Sequence, residues 1–311
     1  MTDELVDRVI RRLGWLDPLA EVVQRAVGKV YGLLGAPGAT LRSALHGTRV
    51  AGHALHPALT DLPVGAWITG VVLDFVAHFS TRIPTEAGDI ALAIGLVGAF
   101  GSILTGYTDF HDTAGHERRV GMAHGLTMTV AVVLEAASLG VRWWAGAGLH
   151  PLAVGLSTAG LAVVLGGAYL GGHLVFGSGT MVNHLAFAEG PADPVAVGRS
   201  TDFPEGATRC ADAGGMGVLL VRRGGRLFGI ADVCTHAGGP LHEGAFDGDV
   251  VTCPWHGSRF RVDTGQALRG PATFPQPTFT VDEWDGTVWV SLGPPRARVL
   301  DIADSEGRPK T

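Results

Sequence analysis

From Trp143 to Ala188 the chain carries no Asp, Glu, Lys or Arg, and from Ile90 to Thr108 it carries none either. Uncharged runs of that length outlast what a helix on a soluble core can use. They reach the ~20 apolar residues that a bilayer-spanning helix requires. Four segments qualify, at 62–81, 87–108, 120–141 and 151–176. Small residues recur within them at four-residue spacing, as in Gly95–Ala99, Gly98–Ser102 and Gly167–Gly171. That spacing lets helix backbones approach closely in lipid. A soluble bundle with a very apolar core is the alternative, and the uncharged length of the fourth segment speaks against it.

Bulk composition hides this pattern, because the last third of the 311 residues carries many of the charges. A net charge of -6, with no basic stripe in the polar part, gives no reason to expect a nucleic-acid partner. Three cysteines, Cys210, Cys234 and Cys253, argue against a disulfide framework and favour a reducing compartment. The opening stretch MTDELVDRVIRRLGWLDPLAE starts acidic and has no compact apolar run before a small-residue cleavage site. It does not read as a secretory signal.

Residues 1–40 form an expected helical leader. Leu5, Val9 and Leu13 make one stripe, and Val22, Val23, Ala26, Val27 and Val30 make another, with Pro18 between them. Two amphipathic helices follow from that spacing. They could lie on the membrane or on a partner, or close over the rest of the chain as a lid. A four-helix transmembrane domain is expected over 41–187. Arginines and lysines crowd the leader and the second connection (Arg118, Arg119), against only Arg82 and Arg142 on the other side. The positive-inside rule therefore puts both termini on the cytoplasmic side of a bacterial inner membrane.

A Pro/Gly-rich linker is expected over 188–200. Beyond it the pattern changes to period two. Gly-Gly and Asp-Gly turns separate β-branched and aromatic runs in GVLLVRRGGRLFGIADV, GAFDGDVVTC and FTVDEWDGTVWVSL. Several hairpin signals in so short a stretch predict a small all-β domain over 201–293, followed by a polar tail over 294–311. The fold class is thus a multidomain membrane protein, all-α four-helix bundle first and all-β domain second.

Within the β domain, CTHAGGPLHEG and CPWHGSRF each offer one thiol and one imidazole. Thiolate and imidazole together suit zinc or an iron–sulfur centre. Zinc sites more often place the cysteines in one pair and the histidines in the other. These two loops, with Arg269–Phe279 (RGPATFPQPTF) as a covering Pro-containing loop, closely resemble the Rieske family over about 191–293. The resemblance implies a 2Fe–2S cluster, with Cys234 and Cys253 on one iron and His236 and His256 on the other. Respiratory members carry a further, disulfide-linked cysteine in each loop, where this chain has Gly239 and Trp255. In that respect it looks like the ferredoxin-type branch, which serves oxygenases. The potential should then lie toward the low end of the Rieske range, around −150 mV rather than +300 mV, unless Ser258 raises it by donating to a cluster sulfur. His242 matches no ligand position and is expected at the surface.

Ten of the thirteen histidines precede residue 190. Eight of them (His46, His53, His56, His111, His116, His124, His173 and His184) are expected at the cytoplasmic ends of the bundle with Tyr107, Asp109 and Asp112. GHALHPALTDLPVGAW, TGYTDF and GMAHG together resemble a four-helix membrane family, domain of unknown function 2231, over about 41–185. That family brings no established chemistry. Imidazole is a common axial haem ligand, so His56 and His124, at the starts of the first and third spanning helices, are the candidates for a b-type haem. A quinone or non-haem metal on the same rim is the second option, and structural hydrogen bonding to helix ends and nearby aspartates is the third. Asp74, His78 and Glu135 lie deeper, as a proton path or as an ion-pair cluster near Arg142.

The expected function is electron transfer: a membrane-anchored carrier passing single electrons between a cytoplasmic redox partner, a reductase or oxidase, and a membrane redox centre. The alternatives are an oxygenase component with an active site in the membrane domain, and a redox sensor. A homo-oligomer stays open.

Overall fold

A computed structural model describes residues 2–80, 82–144 and 147–292; the expected tail at 294–311 lies outside the described residues. The leader forms α1 (Thr2–Arg12) and α2 (Leu16–Leu33), and a third helix the sequence did not announce, α3 (Gly35–His46), runs across the expected domain boundary. Gly47 ends α3 in the left-handed conformation, at φ 93°, which a glycine adopts without cost. The leader packs on the bundle through α2, where Leu16 and Ala20 are buried against Phe110 and Met122. Val22 and Val30, expected on the packed stripe, face outward instead.

The apolar segments become α4 (Leu55–Phe79), α5 (Glu86–Phe110), α6 (Gly115–Trp144) and α7 (His150–Gly172), and α7 continues into one turn of π-helix, His173–Gly177. All four are long and apolar enough to cross a membrane. They associate as two close pairs, α4 with α5 and α6 with α7. The small residues explain the closeness. At Gly95 a Cβ would strike the indole of Trp67, and at Gly98 it would come within 3.0 Å of Pro63 Cδ. Trp67 is fully buried as a result, in a core with Leu92, Ala99, Ala131, Leu139 and Val164. Phe75, Val97 and Phe100 point outward, as side chains facing lipid do.

At the far end, buried Arg142 reaches Asp74 at 2.5 and 2.9 Å and Asp89 at 2.9 Å. Of the three deeper groups, Asp74 belongs to this ion-pair cluster. Glu135 is buried against Gly160, and His78 packs instead on the Phe79 ring at 4.9 Å.

The C-terminal domain has two antiparallel sheets. Strands β1 (Val195–Arg199), β2 (Thr208–Asp212), β3 (Gly217–Arg223) and β4 (Arg226–Ala231) precede the short β5 (Ala245–Asp247), β6 (Val250–Thr252), β7 (Arg259–Arg261) and β8 (Ala267–Arg269). Strands β9 (Thr278–Trp284) and β10 (Thr287–Leu292) close the domain. The larger sheet runs β1-β10-β9-β4-β3-β2 and the smaller β5-β6-β7-β8. Strand β1 starts inside the stretch expected as linker, because Val195 pairs with Val290 of β10. Strand β3 is buried on both faces. Leu219 and Val221 pack with Ile230, Val251 and Phe260, while Val218 and Leu220 pack with Val288 and Val290.

Candidate metal centre and the rim beneath it

Two loops at one end of the β domain repeat one backbone design. Cys234 N–H donates to Gly239 O (2.9 Å) and Gly238 N–H donates back to Cys234 O (2.9 Å). The second loop copies this: Cys253 N–H donates to Ser258 O (2.8 Å), and Gly257 N–H to Cys253 O (3.1 Å). Gly238 and Gly257 both sit at positive φ, 81° and 75°, where a side chain would be strained. In each loop the amides two and three residues after the cysteine point at its sulfur: His236 and Ala237 for Cys234, Trp255 and His256 for Cys253. Such converging donors stabilise thiolate charge.

Both cysteines are buried and neither forms a disulfide. Cys234 donates to the Cys253 sulfur; that bond and the loop amides bring the Cys253 thiol down to about 6 despite its burial. The rings of His236 and His256 stand edge to face, with centroids 5.0 Å apart. Neither ring makes a hydrogen bond among the described residues. Burial, then the His256 ring alongside, pushes the His236 imidazole down to about 3, which keeps it in the neutral, ligating form. Two cysteine sulfurs within hydrogen-bond reach of each other, beside two imidazoles that make no hydrogen bond among the described residues, fit a 2Fe–2S cluster with sulfur on one iron and nitrogen on the other.

Gly239 and Trp255 face each other, a Cβ at 239 lying 3.0 Å from Trp255 Cγ and 2.9 Å from Cys253 Sγ. An indole thus closes the gap at the two positions where respiratory members are expected to have a disulfide. Fully buried Ser258 accepts the Ala272 amide at 2.9 Å, tying the Pro-containing loop over the centre and leaving its hydroxyl proton free to donate. His242, expected at the surface, keeps its side chain 36% exposed and is also held by Asp232: its Nδ1 is 2.7 Å from the carboxylate and its amide donates to the same group at 2.8 Å.

The histidine end of this domain rests on the polar rim of the helical domain. Thr48 Oγ1 donates to Ala272 O (2.9 Å), Gly270 N–H donates to Ser43 Oγ (3.0 Å), and His184 N–H donates to Thr235 O (3.1 Å). A cavity of about 150 Å³ lies at the join, where His236 and Ala237 meet Asp109, Asp112, Glu117 and His184. Gly270 has no room for a side chain, since a Cβ would lie 2.5 Å from Thr48 Oγ1 and 3.4 Å from His46. Gly270→Val should therefore unseat the domain. Losing two hydrogen bonds worth roughly 1 kcal/mol each shifts the seated fraction about thirtyfold. Faster protease cleavage between residues 186 and 194 would show it, and wild-type cleavage rates would refute it.

The rim itself is a charge network. His46 is fully buried, with Nδ1 2.7 Å from Asp109 and Nε2 3.1 Å from Asp112. Burial opposes its charge, but the two carboxylates outweigh that and raise its pKa. Asp112 also pairs with Arg42 and with His111 at 3.1 Å. Although burial works against it, these partners hold its carboxyl well below the ordinary range.

The structure also brings His56 and His124 together, ring centroids 6.3 Å apart and planes at 83°. His56 Nδ1 lies 2.9 Å from Ser102 O, and His124 Nδ1 lies 2.8 Å from Gly167 O. A carbonyl can only accept, so both Nδ1 atoms carry the proton and both Nε2 atoms keep a lone pair. Gly106 and Gly171 flank these rings, where a Cβ would come within 2.8 Å and 3.2 Å of their Cε1 atoms. His53, by contrast, has its Nδ1 on its neighbour's carbonyl, Ala54 O, at 2.9 Å.

Comparison with known proteins agrees with this geometry. A family model described as "Rieske [2Fe-2S] domain" matches residues 193–280, and one described as "Predicted membrane protein (DUF2231)" matches residues 52–184. The chain is 38% identical over 93 residues to ferredoxin CarAc of Metapseudomonas resinovorans, covering 30% of this chain and 87% of that protein. It is 35% identical over 92 residues to the 3-phenylpropionate/cinnamic acid dioxygenase ferredoxin subunit of Escherichia coli K12, covering 29% and 86%. It is 33% identical over 100 residues to the cytochrome b6-f complex iron-sulfur subunit of Chlorobaculum tepidum, covering 32% of this chain and 53% of that one. With paired Cys–His loops on a two-sheet domain, next to four apolar helices whose residues 52–184 match the DUF2231 membrane-protein model, the chain belongs to the Rieske [2Fe-2S] family through its C-terminal domain.

Proposed function

We propose that this protein is a membrane-anchored electron carrier, exchanging single electrons between a cytoplasmic redox protein and a centre inside its own helical domain. The observation that carries this reading is the seating of His236 above the rim that holds His56 and His124. Cys234, Cys253, His236 and His256 would hold a 2Fe–2S cluster, which supplies one-electron chemistry when bound. The loop amides stabilise sulfur charge, the Pro-containing loop excludes water, and Thr48, Ser43 and His184 fix the domain on the rim. The arginine-rich leader supports a cytoplasmic placement for this face. The resemblance to dioxygenase ferredoxins supports a reductase or an oxygenase as the soluble partner.

For the membrane centre we infer a b-type haem on His56 and His124. His56 and His124, whose rings stand 6.3 Å apart, would hold the haem iron through their Nε2 lone pairs. The Nδ1 bonds to carbonyls orient both rings and make each Nε2 a better ligand. A quinone on the same rings would need hydrogen-bond donors, and both ring protons are already given to carbonyls. Absorption and electron paramagnetic resonance spectra of the purified full chain test the whole reading. A Rieske signal together with haem bands supports it, and a preparation without iron would overturn it.

Ser258 offers a finer test. A hydrogen bond to a charged sulfur is worth about 1.5 kcal/mol, or roughly 60 mV for one electron. Ser258→Ala should lower the cluster potential by that amount in a redox titration; an unchanged potential would mean that the hydroxyl donates elsewhere.

A further inference from the structure

Asp7 of α1, His116 at the start of α6 and His173 at the end of α7 converge on one point of the rim. Asp7 Oδ1 lies 2.8 Å from His116 Nε2 and 3.0 Å from His173 Nε2, and the candidate ligand atoms of all three residues fall within 4.8 Å of one another. Arg11, at 4.0 Å, engages the other carboxylate oxygen, Oδ2, which leaves Oδ1 to the two imidazoles. We propose that these three residues form a mononuclear site for a divalent first-row transition cation, distinct from the cluster loops and from the His56–His124 pair.

Three observations bear on this. First, two imidazoles and one carboxylate are the donor set of open, three-ligand iron(II) and zinc sites, which retain positions for water or a substrate. Donors on neighbouring corners of an octahedral ion with bonds of about 2.0–2.1 Å sit about 2.9 Å apart, matching the two distances. Second, His173 opens the π-helical turn that ends α7, and the bare Gly177 lies against its ring, a Cβ there falling 3.2 Å from Cε1 and Nδ1. A π-turn is a rare departure from the α-helix and is found frequently at functional sites. Third, the site is open to small molecules yet adjoins the cluster domain. The side chains of Asp7, His116 and His173 are 35%, 24% and 9% exposed. Glu117, next to His116, and Ser178, next to the π-turn, line the cavity that reaches His236.

The cation would also anchor α1 to the bundle, since its ligands come from three elements far apart in the chain. Two hydrogen bonds from imidazoles to one carboxylate would give similar distances, so the decisive measurement is metal binding. The full chain, purified in detergent and freed of loosely held metal, is titrated with Co²⁺, whose visible absorption reports coordination by nitrogen and oxygen. The expected result is saturation at one Co²⁺ per chain, with at least tenfold weaker binding in Asp7→Asn and in His173→Gln. Competition with Fe²⁺ and with Zn²⁺ then decides between the two ions. All variants should retain the Rieske resonance signal, which reports an intact fold and reads the cluster independently. No stoichiometric Co²⁺ binding, or unchanged affinity in both variants, overturns the site. Loss of the Rieske signal in the wild-type chain would defeat the electron-carrier reading and leave the Co²⁺ result standing.

Discussion

In His236→Ala or His256→Ala protein, the Rieske electron paramagnetic resonance signal should disappear while the chain still inserts in the membrane. Each imidazole is one of the two nitrogen donors that the paired loops offer the second iron; His242, the nearest in sequence, is held by Asp232 at 2.7 Å, and His184 meets the first loop through its backbone N–H on Thr235 O. Fold and insertion should survive because the β core of Leu219, Ile230, Val251 and Phe260 does not depend on either ring. Both rings sit at the edge of the domain, against each other. The measurement is the low-temperature spectrum of reduced membranes, with chain abundance checked by immunoblot. A Rieske signal persisting in either variant would disprove the ligand assignment.

The second large effect concerns the helical domain. His56→Ala and His124→Ala should each abolish the low-spin haem bands, because each imidazole would be one of the two protein ligands of the haem iron. Structural roles for these residues predict something different. A ring that only hydrogen-bonds Ser102 O or Gly167 O would cost about 1 kcal/mol when removed and leave any spectrum untouched. The variants therefore separate a cofactor from a packing role, with the Rieske signal as the internal control for folding. Unchanged haem bands in both variants would reduce the pair to structure.

These tests rest on features of unequal legibility. The loops that carry Cys234, His236, Cys253 and His256 were legible because each is short enough to hold a thiol and an imidazole close together, and because their flanking residues resemble the Rieske family. The four apolar helices were legible for a related reason, since a bilayer demands an uncharged run that no folding detail can disguise. Local patterns carried less information at element edges. Helix α3 escaped notice because Gly35, Pro37 and Gly38 interrupt its start, and β1 was read as linker because its partner, β10, lies about 90 residues away.

The sequence by itself determined the division into an apolar helical half and a β half, two loops that each pair a cysteine with a histidine, and a histidine-rich rim. Each follows from periodicity or from spacing within a dozen residues. Only the tertiary structure decided which rim histidines meet. It pairs His46 with Asp109 and Asp112, His56 with His124, and His116 and His173 with Asp7, a residue 109 positions from one and 166 from the other. It alone seats the cluster loops on that rim, through Thr48, Ser43 and His184. The physical reason is common to all of these. Contacts between distant segments are selected by how whole helices and sheets pack, and packing is a property of shape and buried area that no local pattern of residues records.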